Sequence, residues 1–142
     1  FFREGKTHVH PCFPRFKLWD ESLEILNLRN SGEYKLRSDM EKFLVPMNNF
    51  HSTPVPVKRI YHLVEENSAM SFNLISKNNK IKKLIQNSYK PWMVKTFKLQ
   101  QKHFNLVTQI TDSVEITEFT RPKDQKKLDQ MFDFLIQNIK GE

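Results

Sequence analysis

The sequence predicts an α/β protein in which helices pack on a mixed β-sheet, and two kinds of pattern support this prediction. Three segments of the second half have the pattern of strands, and in 70–75 apolar residues alternate with polar ones. Apolar residues recur at helical spacing in three other segments. The predicted strands are 57–64, 70–75 and 114–119, and the predicted helices are 77–89, 91–110 and 124–139.

The N-terminal third is predicted to contain a hairpin, a loop and one short helix. Residues 1–10 are expected to form the hairpin, with Gly5 at its turn. Because Pro11 and Pro14 interrupt regular structure, residues 11–16 are expected to be an extended loop. Asp20 is a suitable N-cap for the helix, and Asn30–Gly32 ends it. Its expected buried side consists of Leu23, Ile25, Leu26 and Leu28.

The remaining elements follow from local signals along the chain. Residues 33–53 are weakly patterned, with a possible strand at 34–37. The segment 57–64 has apolar residues on both faces, so we expect it to be a central strand. Ser76 can cap the next helix, Pro91 suits the first turn of a single long helix, and Gly141 ends the last one.

Composition and charge limit the classes of function. The formal net charge is +7, from 23 basic and 16 acidic residues, which can indicate nucleic acid, anionic lipid or a phosphorylated ligand as partner. However, 17 of the basic residues are scattered lysines, and with abundant Asn they are typical of an AT-rich genome. No apolar run approaches the roughly 18 residues of a membrane span. With Cys12 as the only cysteine, we expect a cytoplasmic protein without a membrane partner. Since the chain opens with Phe1, we also expect it to belong to a longer protein.

Three candidate sites can be weighed from the residues alone. The three glycines are isolated, so the chain cannot form a glycine-rich phosphate loop and is expected to bind no ATP or Mg²⁺ by itself. His8, His10 and Cys12 have a spacing that zinc could use, but Pro11 disturbs the strand, and we favour a solvated strand face without metal.

Aromatic residues also alternate with basic ones in two segments. An RNA-binding domain would stack bases on Phe13, Phe16 or Trp92. We favour the alternative in which these rings belong to the core and the lysines are their solvated neighbours. The sequence therefore argues against nucleic acid as a partner.

A series of short motifs resembles the HPr serine kinase-like family. The segment HVHPCFPRFKLWDESLEIL is followed by YKLR, KFLVP and PVPVKRIYHLVE, and then by LIQNSY, VEITEF and an Arg-Pro-x-Asp turn. Each motif is weak by itself, but the order and spacing of all of them are similar to those of the family over nearly the whole chain.

The resemblance implies that residues 1–142 are a single domain or the C-terminal part of a larger kinase-like domain with the nucleotide-binding fold of phosphoenolpyruvate carboxykinase. Such proteins transfer phosphate from ATP, with Mg²⁺, to a serine of a carrier protein, a peptide or a small molecule. Their ATP-binding loop and acidic residues lie upstream of the matching segment, so both cofactors would require an upstream half.

The residues that the resemblance points to as phosphate- or substrate-binding are Arg59, Lys35, Arg37 and Arg15, with Arg59 the first choice because it lies on the most clearly predicted strand. No catalytic residue can be assigned. Two alternatives remain open: a non-catalytic peptide- or protein-binding module derived from the same fold, and an RNA-binding domain.

Overall fold

The computed structural model describes residues 2–3, 5–66 and 69–141 and is mixed α/β. Its strands are β1 (Phe2–Arg3), β2 (Lys6–Val9), β3 (Arg15–Trp19), β4 (Tyr34–Lys35), β5 (Lys42–Pro46), β6 (Val55–Pro56), β7 (Arg59–Glu65), β8 (Ser71–Leu74) and β9 (Glu115–Arg121). Its α-helices are α1 (Asp20–Ile25), α2 (Lys77–Gln86), α3 (Pro91–Thr96), α4 (Gln100–Ser113) and α5 (Leu128–Lys140), the last preceded by a 3-10 turn at Gln125–Lys127. None of the helices in these ranges combines the length and the apolar character that crossing a membrane requires.

The chain divides into two compact units. Residues 1–8 and 56–142 form the first unit, and residues 9–55 form the second. The predicted N-terminal hairpin is confirmed: Phe2 pairs with Thr7, Arg3 pairs with Lys6, and Gly5 at the turn has a φ of 74°. β2 also neighbours β6 in a small three-stranded sheet.

The first unit is built on a mixed sheet of the three strands that the sequence predicted, and their order is β7-β9-β8. β7 runs parallel to β9, and β8 runs antiparallel to it. The prediction that 57–64 is a central strand is wrong, because β7 is at the edge of this sheet in the described residues and β9 is in the middle. The side-chain pattern of a strand reports what covers its two faces, and not whether both of its edges are paired.

Helix α5 packs on this sheet through stacked aromatic rings. The ring of Phe134 lies parallel to that of Phe72, with centroids 5.0 Å apart, and Phe72 stacks on Phe119 at 5.1 Å. Phe119 on this face and Met131 of α5 are buried, and Ile116 is buried on the opposite face of β9. The stripe predicted for the last helix, Leu128, Met131, Phe132, Leu135, Ile136 and Ile139, is only partly correct. Met131 is buried, but Leu128, Phe132 and Ile139 are exposed, and the stacked ring comes from Phe134, which was not part of that stripe.

The single helix predicted for 91–110 is two helices in the structure, which corrects that prediction. α3 ends at Thr96, and α4 begins at Gln100. Lys98 between them has a left-handed φ of 54°, and the Leu99 N–H donates to the Val94 carbonyl. The apolar stripe continues through the break, and a left-handed residue other than Gly or Asn has no signature in a hydrophobic pattern.

The second unit is a three-stranded antiparallel sheet, in the order β3-β5-β4, with α1 on one face. Leu23, Phe43 and Val45 are buried between the helix and the sheet. Strand β5 was not predicted, because its apolar residues Phe43, Leu44 and Val45 are consecutive and lack the alternation of a strand that is open on one face.

Two further predictions in this unit need correction. The loop expected at 11–16 already contains the start of β3, since Pro14 lies just before the strand, where its missing N–H costs nothing, and its carbonyl accepts from the Met47 N–H. Asp20 is the first helical residue of α1 while Trp19 occupies the N-cap, and both Ile25 and Leu26 are largely exposed. The helix has fewer than two turns, so only one narrow side of it can face the sheet.

Candidate functional site

The two faces of the β3-β5-β4 sheet differ, and the pairing register shows which side chains share a face. Lys17 pairs with Leu44, and so does Tyr34, whereas Leu18 and Lys35 both pair with Phe43, which faces α1. Directly paired residues project to the same side of a sheet, and successive residues alternate. The face away from α1, called the open face below, consists of Arg15, Lys17, Trp19, Tyr34, Lys42 and Leu44.

A groove of about 570 Å³ lies against the open face. Two cationic side chains and an apolar wall line it together, and Phe13 in that wall is 76% exposed. The lining residues are Phe13, Pro14, Arg15, Lys17, Leu36 and Leu44. A groove with apolar walls and a few converging polar groups has the form of a ligand-binding site.

Two cations of the open face, Arg15 and Lys42, contact aromatic rings. The Arg15 guanidinium donates to the Tyr34 hydroxyl and lies 5.2 Å from the centroid of that ring. Lys42 Nζ lies 4.3 Å from the centroid of the Trp19 ring. Within the part of the chain that the structure describes, no carboxylate forms an ion pair with Arg15, Lys17 or Lys42. The open face is therefore electropositive and can attract an anionic group.

Lys35 and Arg37, unlike Arg15, do not line this groove. Lys35 projects to the α1 side of the sheet, where its Nζ donates to Glu41 Oε1 at 2.7 Å and lies 5.9 Å from the Phe43 ring centroid. Arg37 forms a two-pronged ion pair with Asp39, with N···O distances of 3.0 and 2.8 Å. Both cations are thus paired with a carboxylate within their own loop.

Arg59 belongs to the first unit and is engaged by several polar groups. Its side chain is only 9% exposed, and its guanidinium donates to Glu115 at 2.8 Å, to the Tyr61 hydroxyl at 2.9 Å and to Asn138 at 3.3 Å. Hydrogen bonds with Tyr61 and then with Glu115 raise the pKa of Arg59 above its ordinary value. This environment keeps the guanidinium charged and ties β7, β9 and α5 together.

Several residues of the open face were missed at the level of sequence. Lys17, Trp19, Tyr34, Lys42 and Leu44 were not predicted as site residues, although Arg15, Lys17 and Trp19 follow each other at the period of a strand. That signal was available in Arg-Phe-Lys-Leu-Trp. It was obscured because the segment was expected to begin as a loop.

Neither the histidine-cysteine motif nor a serine-histidine pair forms a reactive centre in the structure. His8 Nδ1 lies 3.1 Å from the Lys6 carbonyl oxygen, Cys12 is exposed, and the described residues contain no group of three metal-ligating side chains. Ser88 Oγ lies 2.8 Å from His103 Nε2, but it also donates to the Leu84 carbonyl. Because a hydroxyl has one proton, the imidazole must then donate to Ser88, which is the reverse of what activation of a nucleophile requires.

Comparisons with protein-family models, with curated proteins and with solved structures found no match for this chain. The relation to HPr serine kinase-like proteins therefore stays a prediction from the sequence motifs.

Proposed function

We propose that the chain is the C-terminal part of an ATP-dependent serine kinase-like protein with a phosphoenolpyruvate carboxykinase-like fold, and that the open face of the second unit binds its substrate. The observation that supports this proposal most is the groove in which Arg15 and Lys17 stand beside Phe13, Leu36 and Leu44 without a carboxylate partner in the described residues. The motif that contains Arg15 is also the longest one that resembles the family.

The chemistry of the groove suits a seryl substrate that gains a phosphate. Arginine presents a planar fork of donors to phosphate oxygens, and lysine adds a mobile point charge. The apolar wall excludes water from one side and so strengthens the attraction between these cations and a phosphate. On this proposal ATP and Mg²⁺ are held by sequence outside this chain, and the residues described here bind and orient the acceptor.

A binding experiment tests the substrate-binding part of the proposal. We expect titration of the chain with O-phospho-L-serine to shift the backbone amide resonances of β3 and β5, and Arg15→Gln or Lys17→Gln to weaken that binding. Arg37→Gln is the matched control, because it removes the same charge from a side chain that is paired with Asp39. Equal weakening by the control would show general charge attraction and contradict a site on the open face.

A turnover experiment tests the catalytic part separately. In the whole open reading frame that contains this chain, Arg15→Ala is expected to lower the rate of phosphate transfer from ATP to a seryl peptide by about a hundredfold, as for the loss of one charge-stabilising donor. Lys35→Ala should leave the rate nearly unchanged, because its charge is already neutralised by Glu41 on the other face. A protein that binds O-phosphoserine but transfers no phosphate would overturn the kinase function and keep the binding site.

The apolar part of the groove favours one alternative, a non-catalytic peptide-binding module. Phe13, Leu36 and Leu44 offer contact area for an apolar side chain next to an anionic group. This alternative predicts that acidic peptides with an aromatic residue bind whether or not they contain serine. Dependence of binding on a serine or phosphoserine residue would decide against it.

A further inference from the structure

The positive charge of the chain is concentrated in one segment. Between Glu66 and Asp112 there is no acidic residue and there are eight lysines. Since eight positive charges exceed the net charge of +7, the rest of the chain is close to neutral. The excess positive charge therefore comes from this segment, although lysines occur along the whole chain.

The eight lysines lie in or next to three consecutive helices, α2, α3 and α4. Lys77 pairs with Asp112 at 2.6 Å, and Lys83 pairs with Glu118 at 2.8 Å. For the other lysines, no ion pair with a carboxylate is found in residues 2–3, 5–66 and 69–141. These are Lys80, Lys82, Lys90, Lys95, Lys98 and Lys102.

Aromatic rings are exposed among these lysines. Tyr89 is 84% exposed and Trp92 is 61% exposed, while Phe97 and Phe104 are each about half exposed. These positions contradict the expectation that the aromatic residues beside the lysines belong to the core. Two apolar grooves of about 300 and 400 Å³ run between the helices, and both are lined by Val94 and His103.

We propose that the surface of α2, α3 and α4 binds single-stranded nucleic acid, with bases stacked on Trp92 and Tyr89 and phosphates attracted by the surrounding lysines. Stacking on exposed rings next to a positively charged surface is the general way in which proteins bind single strands without sequence preference. The absence of arginine from this segment agrees with weak discrimination between bases, because arginine is the side chain that reads guanine by a two-pronged contact. This inference goes beyond the proposed function and does not depend on it.

The same charge would also attract an anionic membrane, but the geometry favours nucleic acid. An interfacial helix needs a long apolar face that lies in the membrane plane. Trp92 lies on α3, which has only six residues, and Phe97 follows its end. The exposed groups are mainly flat rings separated by lysines, an arrangement that suits bases and phosphates in alternation.

Fluorescence anisotropy of the full chain with labelled oligouridylate and oligothymidylate of about 15 nucleotides tests the proposal. We expect a dissociation constant of roughly 1–100 µM at about 0.1 M salt, with affinity that falls as salt rises by a slope of about 0.7 per phosphate contacted. The two oligonucleotides also distinguish RNA from DNA as the preferred ligand. Trp92→Leu should weaken binding about fivefold or more through the loss of stacking, whereas Trp19→Leu on the open face should not.

Matched charge variants complete the test. The triple variant Lys82→Gln, Lys95→Gln, Lys102→Gln is expected to weaken binding and to reduce the salt slope. The control is Lys123→Gln, Lys126→Gln, Lys140→Gln, which removes the same charge from exposed lysines outside the segment. Circular dichroism should show that all variants stay folded.

Three outcomes would overturn the proposal. If the two triple variants weaken oligonucleotide binding equally, general charge attraction would explain the affinity and no specific surface would be needed. Binding to phosphatidylserine vesicles without binding to either oligonucleotide would assign the surface to membranes. Affinity that does not change with Trp92→Leu would exclude base stacking at this surface.

Discussion

Arg59 and Arg37 both pair with a carboxylate, but because their surroundings differ, the two pairs contribute differently to the free energy of unfolding. The Arg59 side chain is nearly buried and donates to three groups on β7, β9 and α5. Arg37 and Asp39 are both well exposed and lie two residues apart. An exposed ion pair gains little because water screens it, whereas removal of one partner from a buried network leaves polar groups without a partner.

We therefore expect Arg59→Met to lower the free energy of unfolding by about 1–3 kcal/mol. Methionine retains much of the apolar stem, so the loss reports mainly on the hydrogen bonds to Glu115 and Tyr61. Arg37→Met, the matched control, should change stability by at most about 0.5 kcal/mol. Both values can be measured by urea denaturation, and equal effects would show that the Arg59 network contributes no more than a surface pair.

Glu33 provides a prediction of pH dependence. The backbone N–H of Asn30 donates to Glu33 Oε1 at 2.9 Å, and this bond is the main cause that lowers the pKa of Glu33 below its ordinary value of 4.5. A carboxyl group with a lowered folded-state pKa favours folding above its unfolded-state pKa, and this contribution is lost as the pH falls through the folded-state value.

Glu33→Gln is thus expected to be less stable than the parent chain at neutral pH, and the difference should shrink as the pH falls below 4.5 and vanish once the pH is below the lowered folded-state pKa. Thermal unfolding followed across that pH range measures it. Asp133→Asn, which removes an exposed carboxylate on α5, serves as the control for the change in net charge. A difference between Glu33→Gln and the parent chain that grows as the pH falls would have the wrong sign and contradict the prediction.

At the scale of elements, strand β8 shows how packing separates residues that the sequence pattern treats alike. Phe72 and Leu74 both belong to the predicted apolar side of the strand. Phe72 stacks between Phe119 and Phe134, whereas Leu74 is 94% exposed. The aromatic stack between the sheet and α5 therefore includes Phe72 but not Leu74.

Phe72→Ala is expected to lower the free energy of unfolding by about 3 kcal/mol, because it removes a ring from the stack and leaves a cavity. Leu74→Ala on the same strand should change it by no more than about 0.5 kcal/mol. Chemical denaturation of the two variants provides the comparison. Similar losses for both would mean that Leu74 is covered in the protein in solution.

At the scale of the whole molecule, the chain supplies cationic surfaces but lacks a cradle for the phosphates of a nucleotide. Gly5 and Gly32 have positive φ values in separate turns, and Gly141 follows the last helix. A phosphate loop needs consecutive backbone N–H groups in tight turns, which three distant glycines cannot provide.

Isothermal titration of the 142-residue chain with Mg-ATP is therefore expected to show no specific binding, even though the chain is strongly basic. Any weak heat from general attraction should disappear at high salt, since exposed charges are screened. A micromolar dissociation constant that persists at high salt would contradict this expectation. Titration with inorganic tripolyphosphate under the same conditions controls for general attraction to phosphates.

Much of the α/β architecture follows from the sequence, because periodicity reports which faces of an element meet the core. The segments 114–119 and 124–139 were recognised in this way, and they correspond to β9 and α5. The hairpin at Gly5 was also predicted, since the turn needs a positive φ that glycine adopts without strain. These signals are local, and local sequence is sufficient to produce them.

Tertiary structure alone decided the order of strands, the break between α3 and α4, and the composition of the candidate site. Which strand is central depends on pairing between distant segments, and a local pattern contains no information about it. Arg15 and Lys35 were both predicted to bind phosphate or substrate, but the register of β3, β4 and β5 places them on opposite faces of one sheet. Exposure of Trp92 likewise depends on what packs against α3, and so the sequence showed an aromatic residue among lysines without showing that its ring faces solvent.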